Sequence, residues 1–127
     1  MPADSQAKAE PDHSLELGDI YTLSGEVWEA ALIYGQVEKS FPNEVYGQEA
    51  RFKNARLAYY QGDFLWAKAQ LDVLKSSTSQ LIANDALNLS LLISDNLQNE
   101  NDTLALKRYS EAELYIFKIS RKKHWKF

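Results

Sequence analysis

The strongest constraint on this 127-residue chain is a self-similarity at an offset of 37 residues. The run Gly25-Glu26-Val27-Trp28-Glu29-Ala30-Ala31-Leu32-Ile33-Tyr34-Gly35-Gln36-Val37 aligns with Gly62-Asp63-Phe64-Leu65-Trp66-Ala67-Lys68-Ala69-Gln70-Leu71-Asp72-Val73-Leu74. A glycine and an acid open both copies, and apolar or small residues return at Ala30/Ala67, Tyr34/Leu71 and Val37/Leu74. A period of this size belongs to stacked helical units, none of which can bury its own apolar stripe alone.

Helical spacing flanks each glycine. Upstream of Gly25 it links Leu15, Gly18, Tyr21 and Thr22, and downstream Ala30, Ile33, Tyr34 and Val37. The pattern predicts helix, tight turn, helix, with Gly25 and Gly62 ending the first helix in a left-handed conformation and the adjacent acid suiting the start of the next. Phe41-Pro42-Asn43 stops the second helix, because proline lacks the amide and clashes with the preceding turn. Small residues at Gly18, Ala30, Ala55 and Ala67 let paired helices approach closely. Trp28 and Trp66, early in the second helix of each unit, are expected to fill core wedges between helices.

Leu17-Gly18-x-x-Tyr21, Ala30-x-x-x-Tyr34 and Pro42 resemble the tetratricopeptide repeat signature at its spacing. Ser14 and Val37 depart from it, standing where the family usually has Trp and Ala. In the second unit Ala55 fills the small-residue site and Ala58 replaces the aromatic, and Ser76-Ser77-Thr78-Ser79 replaces the terminal proline as a polar connection. The resemblance implies an all-α fold, a right-handed superhelical stack of antiparallel helix pairs forming a TPR-like α-solenoid. About three units are expected, at 11–44, 48–81 and 83–119, after a disordered segment 1–10 and before a basic tail 121–127. The third is predicted from Leu81, Ala86, Leu89, Ser90, Ile93 and Leu97 on one helix, and from Leu104, Ala105, Tyr109, Ala112, Ile116 and Ile119 on the next. Asp102 is the expected N-cap of a helix opening at Thr103.

Composition agrees with a folded helical domain: 45% hydrophobic, 25% charged, three Pro and five Gly. The absence of Cys removes disulfide frameworks and thiolate metal sites. No apolar run is long enough for a membrane span, and the opening MPADSQAKAEPDHS lacks the apolar core of a signal peptide. A soluble chain is expected, cytoplasmic or periplasmic. The polar start and the end at Trp125-Lys126-Phe127 look like edges of a longer protein. Residues 1–117 carry 9 basic and 18 acidic groups, and five cations with no acid follow. An acidic body disfavours nucleic acid as a partner.

The resemblance implies protein binding, with the first helix of each pair lining a concave face. Carried onto this chain, that face takes Asp12, Leu15, Asp19, Thr22 and Leu23 from unit one, and Glu49, Phe52, Arg56, Tyr59 and Tyr60 from unit two. Lys53 joins Arg56 as a cation able to pair an acid. Aromatic residues with an arginine are the composition of an interface hot spot. The carboxylate clamp of some relatives is missing, since Leu15 and Asp19 stand where they have Lys and Asn.

No phosphate-binding, zinc-hydrolase or nucleophile-elbow string occurs, and the two histidines, His13 and His124, lie in the outer segments. The expectation is therefore a non-enzyme without cofactor or metal, whose partner is another protein or peptide. Two other surfaces stand out. The tail from Lys118 to Phe127 interleaves cations with aromatics, suiting weak contact with nucleic acid or an anionic membrane surface, or simply the negative pole of a helix end. The last helix keeps Tyr115, Ile116, Phe117 and Ile119, which a second copy of the chain or a further repeat would have to cover.

Overall fold

Helix α1 (Pro11–Leu23) opens on a proline, whose fixed φ suits a first turn and whose missing amide would have no partner there. It ends in a Schellman turn: Gly25 takes φ +80°, and Glu26 N–H donates to the Tyr21 carbonyl at 2.8 Å. Helix α3 (Val45–Tyr60) ends in the same way 37 residues further on, with Gly62 at φ +84° and Asp63 N–H donating to Ala58 O at 2.9 Å. The repeat in sequence is thus a repeat in backbone geometry, as glycine's tolerance of positive φ requires. The computed structural model that carries these turns describes residues 10–125, with side chains described as far as Lys122.

Between those turns lies α2 (Val27–Ser40), which stops at Phe41 as the Pro42 signal predicts, with Asn43 at φ +62° turning the chain into α3. Helix α4 (Phe64–Leu74) runs to the serine connection, where Ser79 caps α5 (Gln80–Asp95) by accepting from the Ile82 amide at 3.3 Å. Helix α6 (Glu100–Trp125) is the longest, at 26 residues. Its N-cap is Asn99, whose Oδ1 accepts from Asp102 N–H at 2.8 Å, so the expected cap at Asp102 is displaced by one turn. Asn99 wins because its side chain reaches the third amide of the helix while Asp102 is already helical.

The repeated positions Ala30, Tyr34 and Val37 are buried, as are their counterparts Ala67, Leu71 and Leu74. The first set packs with Leu15, Ala50 and Leu57, and the second with Tyr59, Phe64, Ile82, Ala86, Ile93 and Leu106. Trp28 and Trp66 correct the sequence expectation. Trp28 is 86% exposed and Trp66 also faces solvent, because each lies off the inward stripe that runs through Ala30 or Ala67. Trp28→Ser should therefore shift the melting temperature by no more than about 2 °C, whereas a core tryptophan would cost about 3–5 kcal/mol; a thermal melt by circular dichroism separates the two.

Consecutive helices from α1 to α5 pack along one another, and α3 also touches α1 and α5. Connections of a few residues between packed helices make neighbours antiparallel, so α1, α3 and α5 form an inner row and α2 and α4 an outer one. Helix α6 breaks this alternation, and the expected third helix pair does not form. Instead of lying back along α5, α6 packs on α3 and α1. The stripe predicted for its inward face, Leu104, Ala105, Tyr109, Ala112, Ile116 and Ile119, is exposed, as is Leu81 on α5. Leu106 and Ser110 are buried instead.

No strand occurs among the described residues, and no helix among them is long and apolar enough to cross a membrane. The segment expected to precede the array lies outside the described residues except for Glu10. The expected tail is not a separate segment, because α6 continues through it to Trp125; Lys126 and Phe127, and the side chains of Lys123, His124 and Trp125, lie outside the description.

Candidate binding groove

The inner row presents the face on which the sequence places partner contacts, and two of those residues are scaffold. Asp19, on α1, is buried. Its carboxylate accepts from the Tyr34 hydroxyl at 2.6 Å and from Lys53 Nζ at 3.0 and 3.1 Å, tying α1 to α2 and α3. Burial, and then the Asp19 charge, push the Tyr34 phenol far above its ordinary pKa, so it stays a donor. Thr22 is buried as well, donating to Gly18 O at 2.9 Å. A residue spacing that points toward the concave side also points into the α1–α3 seam, and here the seam takes both side chains. Leu15 is core, while Asp12 is exposed.

Tyr59 is a third correction of degree. It is 1% exposed and packs its ring against Phe64, with centroids 5.8 Å apart, so little but its hydroxyl is left for contact. That hydroxyl donates to Glu113 of α6, and burial and this bond raise its pKa.

Phe52, Arg56 and Tyr60 remain half-buried on the groove side of α3. The Arg56 guanidinium carbon stands 4.6 Å from the Phe117 ring centroid and 5.9 Å from those of Phe52 and Tyr60. Tyr60 stacks on Phe117 at 6.4 Å. One end of the groove is therefore filled by the chain's own α6, which sets an aromatic ring on the arginine that sequence alone leaves open to a ligand. Glu16 pairs with Arg121 beyond it, fastening α6 to α1. Lys118, Arg121 and Lys122 border a cleft with Ile20, Leu23 and Ser24 at the carboxyl end of α1, where cations complement the negative pole of that helix.

The rest of the groove is open. A cleft of about 260 Å³ lies between α3 and α5, lined by Phe52, Arg56, Tyr60, Asp85, Leu89 and Glu113 among others. A second, of about 280 Å³, shares Phe52, Arg56 and Asp85 and extends to Val45, Lys53 and Leu81. Together they make a trough along α3 floored by Phe52, with Arg56 and the Asp19-paired Lys53 on one wall, Asp85 on the other, and Glu49 and Glu113 also in the lining. Asp85 and Leu89, four residues apart on α5, are wall residues that the sequence reading missed. Their helical spacing was visible, but the face they share was not.

Among the described residues no three His, Asp or Glu side chains gather into a cluster that could hold a metal ion. Neither a family model, nor a curated protein, nor a solved structure matches this chain.

Proposed function

We propose that this chain is a non-catalytic protein-interaction scaffold of the tetratricopeptide-like kind, coiling right-handed, which holds a peptide or helical segment of another protein in the trough between α3 and α5. The observation that carries the proposal is the continuous opening around Phe52, Arg56 and Asp85, floored by apolar side chains and walled by opposite charges. Such a surface orients a peptide by charge while its side chains bury against Phe52 and Leu89. The matched Schellman turns and the tetratricopeptide-like residue pattern support the architectural half of the proposal.

The ligand preferred here carries an apolar residue for the Phe52 floor, an acid toward the exposed edge of Arg56, and a base toward Asp85. Selection from a random peptide display library on the intact chain, followed by calorimetric titration of enriched peptides, tests this. Asp85→Arg and Leu81→Glu both alter exposed residues. Each should weaken binding at least about tenfold, or about 1.4 kcal/mol, while Trp28→Ser leaves it unchanged. Failure to enrich any peptide, or binding indifferent to Asp85 and Leu81, sinks the proposal.

A further inference from the structure

Helix α6 carries two seams at heptad spacing, and the domain uses the less apolar one. The used seam is Leu106, Ser110, Glu113 and Phe117, at steps of four, three and four, set on α3 and its neighbours. The second is Ala105, Tyr109, Ala112, Ile116 and Ile119, at steps of four, three, four and three. All five are exposed, Tyr109 at 51%, Ile116 at 63% and Ile119 at 43%. At 100° per residue the second seam lies about 100° around α6 from the first, beside the face that the domain holds and not on it. A spacing of 3.5 residues sustained over two heptads is what helix-on-helix pairing requires.

We infer that this seam is a self-association surface, on which α6 of a second copy of this chain packs antiparallel with Ala112 at the two-fold axis. Size complementarity sets the direction. Antiparallel pairing about residue 112 places Ala105 opposite Ile119 and Ala112 opposite its own copy, and brings Tyr109 to the level of Tyr115, one residue from Ile116. Ile119 then meets a small residue, and the backbones approach most closely at the centre. Parallel pairing in register would instead oppose Tyr109 with Tyr109 and leave a gap at Ala105.

Charge selects the same direction. Residues 100–113 hold Glu100, Asp102, Glu111 and Glu113 against Lys107 and Arg108, whereas 114–122 hold Lys118, Arg121 and Lys122 with no acid. Antiparallel pairing brings Asp102 to the level of Lys122 of the other copy and opposes the two helix dipoles, while Glu111 and Glu113 lie near the axis in either direction; parallel pairing stacks Asp102 on Asp102 and Lys122 on Lys122. Arg108 then comes beside the exposed Tyr115 ring of the other copy on both sides of the axis. The seam spans only about 21 Å, so it buries less than a standard interface, and a dimer that forms in the micromolar range follows.

The chain has no cysteine, which makes cross-linking a clean test. Under mild oxidation or with a short bis-maleimide, Ala112→Cys should link to itself. Ala105→Cys and Ile119→Cys should each link poorly alone and efficiently when mixed. Ile116→Lys, at an exposed site, should leave the thermal melt unchanged while sedimentation at about 100 µM falls from dimer to monomer. Self-linking of Ala105→Cys and of Ile119→Cys would show a parallel pair and overturn the arrangement. A monomer at that concentration, with Ala112→Cys linking no faster than Leu65→Cys on α4, would overturn the surface itself. None of these substitutions touches Asp85 or Leu81, so dimerisation and peptide binding fail or stand separately.

Discussion

Gly47→Ala should destabilise the fold by about 3 kcal/mol, lowering the melting temperature by roughly 10 °C, although helix propensity alone predicts a gain of about 1 kcal/mol for the same change. Gly47 is in the first turn of α3, where the chain has just reversed out of α2 through Phe41 and Asn43. A Cβ there would overlap the Phe41 carbonyl oxygen and come within 3.1 Å of its carbon. That neighbour is backbone, fixed by the end of α2 and by Glu44 N–H donating to the same oxygen at 3.3 Å, so it cannot swing aside as a side chain would. The α2–α3 seam must open or α3 must start later, and both outcomes disturb the packing of Ala50 against Val37. Urea denaturation of the two proteins decides the sign; a more stable alanine variant would show that the reversal has slack.

Asp19→Ala should cost about 3–5 kcal/mol, the range for removing one partner from a buried ion pair. Asp19 and Lys53 side chains are 7% and 13% exposed, and the same carboxylate holds the Tyr34 hydroxyl. Alanine leaves an ammonium with little water and a phenol whose remaining partner is the Thr22 hydroxyl at 3.2 Å, although Arg56, 3.9 Å from the Asp19 oxygen, would lose less because it is more exposed. Adding Lys53→Met should restore most of the loss, since apolar replacement of a buried pair is often close to neutral. Equal melting temperatures for the single variant and the parent would mean that Asp19 is a solvated groove residue, as its sequence position suggests.

The boundaries and turns were legible because they follow from local chemistry. Gly25 and Gly62 take the positive φ that their place between helical stripes demands, and Pro42 marks the reversal after α2. The inward stripes through Tyr34 and Leu71 are read from their spacing and from their recurrence at the same offset, although the outward faces also carry Trp28, Leu32, Leu65, Trp66 and Val73. Trp28 shows the limit of residue type as evidence. An indole is large enough to anchor a core, but its angle around α2 puts it on the outside, and angle outranks type. The groove was legible in part: Phe52, Arg56 and Tyr60 do share a face, while Asp19, Thr22 and Tyr59 turn into the seams beside it.

Sequence by itself determined the helical class, the repeated helix–turn–helix and the stripes of α2 and α4, all of which depend on residues within one or two turns of each other. Only the tertiary structure decided where α6 goes. Its anchors join Tyr59 to Glu113 and Glu16 to Arg121, pairs separated by 54 and 105 residues, and periodicity says nothing about partners at that range. Periodicity shows which residues of α6 share a face, and α6 has two such faces. The one carrying Glu113 and Phe117 is buried because Tyr59, Tyr60 and Arg56 offer it a hydrogen bond and an aromatic and cationic seat, leaving the more apolar one in water.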